Sequence, residues 1–343
     1  MKKAPILTQV IFISVIVFLL DLALASETDG SILIALLFWS GIGQGMIALA
    51  AGAELSGGKW IGSIRPYMQE YYPLLILFPG TFLIFCRHIT VYDWALYTPN
   101  RWLTPVFFII RNIIVLILPF IFAHFYVQAS KKESPKTGLF AVLYLLSFVI
   151  SQSFLAYDQV MTFEYPWINT LFGGYFFVEA LYGGIAFSAV LAGFLMMRDS
   201  ERFKAAFRDF VVMIMGFALL WAGLFYSQYL VIWYGNIPEE VSFIAKRMAV
   251  PMLKNLGIYI LLTLFLIPFV SLISREVKSM FPAVFVIALL VFSGLIVERL
   301  IYLQPVANLS VLAVLVPLIL LGFPFIYLLF TQYRSISSAS SHT

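Results

Sequence analysis

Long apolar segments, separated by short polar connections, follow one another along almost the whole chain. Ten of them reach the length of about 20 residues that a helix needs to cross a bilayer. They lie at roughly residues 5–25, 32–53, 72–90, 103–127, 137–157, 170–197, 209–234, 252–273, 281–303 and 309–331. The pattern predicts an all-α bundle of about ten transmembrane helices, with one integral membrane domain over residues 1–331 and a short polar cytoplasmic tail at 332–343.

Composition agrees with this class of protein. Hydrophobic residues make up 62% of the chain and charged residues 11%, whereas a soluble domain carries about 25% charged residues. The formal net charge of +4 does not indicate nucleic-acid binding, because the basic residues lie in short connections where membrane topology explains them. A single cysteine, Cys86, excludes an internal disulfide, covalent haem attachment and an iron–sulfur cluster held by this chain alone.

Lysine and arginine are unevenly distributed between the two sides of the predicted bundle. They concentrate in connections on the same side as the N-terminus, for example at Lys131, Lys132 and Lys136. Such residues stay preferentially in the cytoplasm, which predicts that both termini are cytoplasmic. The first segment has a second interpretation as a secretory signal cleaved near Ala25, but its apolar stretch is long and Asp21 interrupts it. We expect it to be retained.

This orientation places several ionisable residues at the outer ends of the helices. His88, Asp93 and Asp158 follow the third and fifth segments and are suitable in type and position to accept protons from an oxidised substrate. The seventh segment ends in an acidic turn with Asn236, Glu239 and Glu240. Exposed acidic loops favour partners with basic surfaces, so we expect this turn to dock a partner subunit.

Ionisable residues inside the segments are costly and are candidates for function. Glu179 and Arg111 lie at similar predicted depths, and Tyr175 and Tyr182 flank Glu179 at helical spacing. We expect Glu179 and Arg111 to meet, either as part of a proton path or as a structural ion pair. The path would continue towards the cytoplasm through two residues near the inner helix ends, His124 and Glu54, although side chains there also extend to the interface.

The histidines do not provide a haem site. His88, His124 and His342 are predicted at the outer edge, at the inner edge and in the tail, so no pair on facing helices could supply two axial ligands. No metal site is evident either. If the protein takes part in electron transfer, a diffusible redox molecule and partner subunits must carry the electrons.

Two stretches resemble a known family. YSQYLVIWYGNIPEE at 226–240 closely resembles the signature of the ActF membrane subunit of bacterial alternative complex III, a quinol:cytochrome c or electron-acceptor oxidoreductase. AYDQVMTFEYPWINTLFGGYFF at 156–177 is similar to a second signature of this family, which is itself similar to NrfD and polysulfide-reductase membrane proteins. With RPYMQEYYPLLILFP and the run from Arg101 to Arg111, the resemblance covers most of residues 60–250.

The resemblance implies paired four-helix bundles plus additional helices in a bacterial inner membrane. It also implies partners, namely a related NrfD-like membrane subunit, an iron–sulfur protein and multihaem cytochromes c, so that haem c and iron–sulfur clusters belong to the partners and this chain binds no cofactor alone. The expected function is quinol interaction, proton translocation or both. In the family the quinol site is assigned more securely to the sister subunit.

Two other functions fit the same pattern. A stand-alone secondary transporter would have about ten spans, prolines that interrupt helices, and a weak internal echo between SQSFLAYD at 151–158 and SQYLVIWY at 227–234. A structural anchor would only dock soluble redox subunits, and residues such as Glu179 and Asp158 would then be replaceable.

Overall fold

A computed structural model describes residues 6–24, 30–304, 309 and 311–339. Helices account for most of this part of the chain, and it contains no strand. The longer helices are α1 (Ile6–Leu24), α2 (Ser31–Leu55), α3 (Arg65–Val91), α4 (Pro105–Lys131), α5 (Thr137–Glu164), α6 (Phe172–Met196), α7 (Ser200–Gly235), α8 (Pro238–Ala249), α9 (Pro251–Ser271), α10 (Phe281–Leu303) and α11 (Val311–Ala339).

Within the described residues, nine of these helices are long and apolar enough to cross a membrane, and α1 contributes a shorter apolar helix. The prediction of an all-α polytopic bundle with about ten spans is therefore confirmed. We call the face that holds Glu164 and Glu239 the outer face, in keeping with the predicted orientation. The amphipathic helix α8, between α7 and α9, was not among the predicted segments.

Several helices extend beyond their predicted ends, and α7 and α11 are two of them. Helix α7 begins at Ser200 because the Asp199 side chain accepts a hydrogen bond from the Arg202 backbone N–H, which caps the first turn. At the other end of the chain, α11 continues to Ala339. Most of the stretch predicted as a polar tail, from residue 332, is therefore helical, and residues 340–343, which include His342, lie outside the described residues.

The spans form two four-helix bundles. In the first, α2, α3, α4 and α5 contact one another in a ring, and in the second α6, α7, α9 and α10 do the same. Helices α1 and α11 pack outside the first bundle, against α3 and α2. Paired four-helix bundles with additional helices were expected. The internal echo, in contrast, falls on the fourth helix of the first bundle and the second helix of the other, so it does not relate equivalent positions.

Close packing of α2 against α6 joins the two bundles. A Cβ atom on Gly184 would lie 2.5 Å from the Gly45 carbonyl carbon, and one on Gly45 would lie 2.0 Å from the Ala180 carbonyl oxygen. Only glycine allows the two backbones to approach this closely, as in other small-residue contacts between membrane helices. Both helices are almost entirely buried, so the side chains of α6 face the interior of the protein.

Candidate functional site

A buried cluster of charged side chains lies where α6 meets α10 in the second bundle. Glu179 of α6 forms an ion pair with Arg299 of α10, with 2.6 Å between Glu179 Oε2 and Arg299 Nη2. Glu298, the neighbour of Arg299, places its Oε2 atom 3.8 Å from Arg299 Nη1. All three side chains are almost completely shielded from solvent. We call Glu179, Glu298 and Arg299 the charged cluster.

Neutral donors surround the two carboxylates. Tyr175 and Tyr302 donate hydrogen bonds to Glu298 Oε1, at 2.5 and 3.1 Å. The indole N–H of Trp221 donates to Glu179 Oε1 at 3.3 Å. Two carboxylates and one guanidinium leave one surplus negative charge, which is costly in a bilayer unless a proton joins the cluster. The arrangement is therefore suited to holding and exchanging a proton.

A small cavity of about 10 Å³ adjoins Glu179 and Arg299. Gly183 and Leu295, which lie about one helical turn further from the outer face than Glu179 and Arg299, also line it. Such a volume accommodates roughly one water molecule. The Nε and Nη1 atoms of Arg299 are buried without a hydrogen-bond acceptor among the described residues, and a water molecule here would satisfy such a donor.

A much larger cavity, of about 370 Å³, lies on the other side of the cluster, between α7, α8, α9 and α10. Its wall is predominantly apolar. The polar groups in the wall include the cluster residue Glu298 and its two tyrosine neighbours, together with Arg247 and Lys254. The remaining lining residues are Trp167, Asn169, Phe172, Phe225, Gln228, Tyr229, Ile232, Phe243, Ile244, Met248, Leu253, Gly257, Ile258, Ile260, Leu261 and Ile301.

Helix α8 covers the outer side of this cavity. Its single buried residue among those described is Arg247, which forms an ion pair with Glu164 at 2.6 Å and donates hydrogen bonds to the carbonyls of Ile301 and Tyr302. The neighbouring Lys246 also contacts Glu164, at 3.2 Å. Burial lowers the pKa of Arg247, and the nearby carboxylate of Glu164 acts against that shift.

The predicted meeting of Glu179 and Arg111 is wrong. Glu179 pairs with Arg299, whereas Arg111 pairs with Asp158, with 2.5 Å between Arg111 Nε and Asp158 Oδ2. The two arginines belong to different bundles. Asp158 lies within a π-helical turn of α5, Leu155–Val160, and is buried inside the bundle rather than placed in an outer loop.

Asp158 has a full set of donors. In addition to Arg111, its carboxylate accepts hydrogen bonds from Asn112 Nδ2 at 3.0 Å and from Trp102 Nε1 at 3.4 Å. The Arg111 guanidinium also lies over the Trp102 ring, 4.4 Å from its centroid, at a distance typical of cation–π contacts. One carboxylate and one guanidinium balance in charge, so this pair is suited to joining α4 to α5.

The other predicted outer acceptors lie in different surroundings. His88 is buried, and its Nε2 atom lies 2.9 Å from Asp21 Oδ1; Asp21 also pairs with Arg87 at 2.5 Å. These contacts join α3 to α1. Asp93 is exposed just after α3. The structure therefore does not bring His88, Asp93 and Asp158 together at one site.

The predicted inward series is also not continuous. Tyr182 donates its hydroxyl hydrogen to the Leu264 carbonyl at 3.0 Å rather than to a carboxylate. His124 is exposed and contacts the Tyr72 hydroxyl through Nδ1 at 3.1 Å. Glu54 forms an ion pair with Arg65 near the inner end of α2. Of the series, only Glu179 and Tyr175 belong to the cluster and its donors.

The predicted docking turn lies at the outer surface. Asn236 ends α7 in the left-handed conformation, with φ of 46°, and Pro238 begins α8, a position that proline favours. Glu239 is exposed and Glu240 partly exposed in the first turn of α8. No ion pair of either carboxylate occurs within the described part of the chain, so docking of a partner here stays a prediction.

Sequence reasoning missed Glu298 and Arg299 as site residues. Both lie near the outer end of a predicted segment, where an adjacent acidic and basic residue can be solvated at the interface. The signal that could have found them is their position within an otherwise apolar run, IALLVFSGLIVERLIYL, with a tyrosine one turn after Glu298. Among the described residues, no group of three or more histidine, cysteine, aspartate or glutamate side chains could hold a metal ion.

Comparisons with known proteins do not assign the chain to a family. No family model matches it, and no curated protein matches it.

Proposed function

We propose that this chain is a membrane subunit of a quinol-oxidising electron-transfer complex, of the alternative complex III type, and that it binds a lipid-soluble hydroquinone in the large cavity. One observation carries the proposal: Glu298, Tyr175 and Tyr302 belong both to the wall of the cavity and to the charged cluster or its donors. A ligand in an apolar cavity would therefore have a buried proton acceptor within reach.

The chemistry of the cavity wall agrees with such a ligand. A hydroquinone with an isoprenoid chain is apolar except for two hydroxyl groups, and pockets of this kind combine apolar walls with a few well-placed polar groups. Oxidation to the quinone releases two electrons and two protons. Glu298 takes up one of these protons from a ring hydroxyl as general base, and the second proton is released to water at the outer face. The two electrons leave to iron–sulfur or haem carriers of partner subunits.

Movement of a proton from Glu298 to Glu179 is the next step that the cluster supports. Both carboxylates share Arg299, and the small cavity beside Glu179 extends away from the outer face. The protein would thereby move a proton deeper into the membrane. Glu179→Gln should keep quinol oxidation largely intact but lower the number of protons moved per electron, measured as proton uptake and release in vesicles that contain the purified complex.

The direct test of the site is Glu298→Gln in the purified complex. Loss of the general base should lower the rate of quinol oxidation by about 100-fold or more, and a photoreactive short-chain quinone should label cavity residues of this chain. Glu276→Gln, a matched change at an exposed position between α9 and α10, serves as the control and should leave the rate unchanged.

Three results would contradict the proposal. One is a normal oxidation rate with Glu298→Gln, and another is quinone labelling that maps around His88 and Asp93 instead of the cavity. The third is purification of the chain alone or as a homo-oligomer, without haem or iron–sulfur absorbance, which would favour a secondary transporter.

A further inference from the structure

We propose that α8 is a movable lid over the large cavity and that Glu164 is the latch that holds this lid closed. The inference rests on the proposed function for its ligand, because a lid has a role only if a molecule enters and leaves. The lid itself is indicated by the contacts that join α8 to the rest of the protein, which do not depend on the ligand.

Most side chains of helix α8 are only partly buried or exposed. It contributes Phe243, Ile244, Arg247 and Met248 to the cavity wall, yet Arg247 is its only described residue that is buried. A short link precedes the helix, with Asn236 in the left-handed conformation, and the extended residue Val250 follows it. Such element ends can absorb the backbone changes of a hinge.

The latch connects the two bundles. Glu164 lies at the outer end of α5 in the first bundle, and it pairs with Arg247 at 2.6 Å and with Lys246 at 3.2 Å. Beside it, the rings of Trp167 and Phe243 stack with their centroids 3.9 Å apart and an interplanar angle of 7°. These two contacts hold α8 against the outer end of α5 and the connection that follows it.

Because the latch is an ion pair, its separation allows α8 to open. Breaking an apolar contact exposes hydrophobic surface, whereas water solvates both partners of an ion pair once they separate. The buried position of Arg247, in contrast, depends on its counter-charge, because an unpaired buried cation is costly. Neutralising Glu164 should therefore drive Arg247 out and open the lid.

Arg247 also connects the lid to the proton acceptor. Its guanidinium donates hydrogen bonds to the carbonyls of Ile301 and Tyr302 at the outer end of α10, and the Tyr302 hydroxyl donates to Glu298. Closure of α8 thus fixes the end of the helix that presents Glu298 to the cavity. The closed lid would position the acceptor as well as exclude water.

The test measures lid opening without any quinone present. In a Cys86→Ser background, Ile244→Cys places a single thiol on the cavity side of α8, and its reaction rate with a water-soluble maleimide reports exposure. Glu164→Gln should raise this rate at least tenfold. Leaving the buried charge of Arg247 unpaired destabilises the closed lid by more than a tenfold change in the opening equilibrium requires. Glu276→Gln, the same change of charge at an exposed position between α9 and α10, should not change the rate.

Trp167→Ala provides a second measurement, since it removes the stacked ring but keeps the ion pairs, and it should also raise the labelling rate. Labelling that is unchanged in both variants would overturn the lid. If labelling rises but no quinone binds the cavity, the lid stands and the proposed function fails. If quinone binds while labelling is unchanged, the site stands and the lid fails.

Discussion

Replacement of Arg299 tests whether the charged cluster depends on its single cation. Arg299→Gln leaves Glu179 and Glu298 buried together without a counter-charge, while Glu179→Gln leaves one carboxylate beside the arginine. We therefore expect the two single variants to differ strongly in stability, although each removes one partner of the same ion pair. The arginine variant should be the less stable one.

The structure sets the size of the effect. The pair is separated by 2.6 Å, with side-chain exposures of 6% for Arg299 and 0% for Glu179. Two unit charges 4 Å apart attract by about 4 kcal/mol at an effective dielectric constant of about 20, and breaking a buried pair costs about 3 to 5 kcal/mol. The loss of stability caused by Arg299→Gln should fall in that range. Glu179→Gln should cost less, because Glu298 remains beside the arginine.

The double variant completes the cycle. Glu179→Gln with Arg299→Gln removes both charges of the pair, so it should be more stable than the sum of the single effects predicts, by about 1 to 3 kcal/mol. The measurement is unfolding of the purified protein in detergent or nanodiscs, with the assembled fraction as a second readout. Additive effects within about 0.5 kcal/mol, or equal losses for the two single variants, would refute the ion-pair account.

The remaining predictions concern topology and docking. A reporter fused after Lys132 should be active only in the cytoplasm and one placed near Glu239 only outside, because basic connections stay inside; the opposite result at either site would overturn the orientation. Reversal of Glu239 and Glu240 to lysine should release extramembrane redox subunits while the chain stays inserted, as repulsion replaces attraction to a basic partner. Unchanged copurification would exclude the docking role.

Much of the fold could be predicted because each long span is a local feature of the sequence. The length of an apolar run fixes a helix, and neither the partner nor the face of that helix needs to be known. Helix ends were less predictable. The charged first turns of α7, around Arg202 and Arg208, were predicted to be a connection between helices. The cap at Asp199 starts the helix before the apolar residues begin.

The site could be predicted only in part, because pairing depends on helix neighbours. Counting residues from the predicted helix ends placed Glu179 and Arg111 at similar depths in the membrane. Residues at equal depth need not lie on adjacent helices, and α4 and α6 belong to different bundles. The apolar pattern of the sequence also did not predict the π-helical turn that includes Asp158. Helix α5 continues through this turn to Glu164, beyond the predicted end at residue 157, so a carboxylate expected in an outer loop lies inside the first bundle.

The contrast between the two bundles identifies the one that is suited to chemistry. In the first bundle, Asp158 and Arg111 balance in charge, and both Asp158 oxygens accept hydrogen bonds. In the second, two carboxylates share Arg299, and buried nitrogen atoms of that arginine lack acceptors within the described chain. A satisfied network stabilises one arrangement, whereas an unbalanced one can take up or give away a proton at small structural cost. Because the unbalanced cluster also adjoins both cavities, proton exchange should occur in the second bundle while the first holds the helices in place.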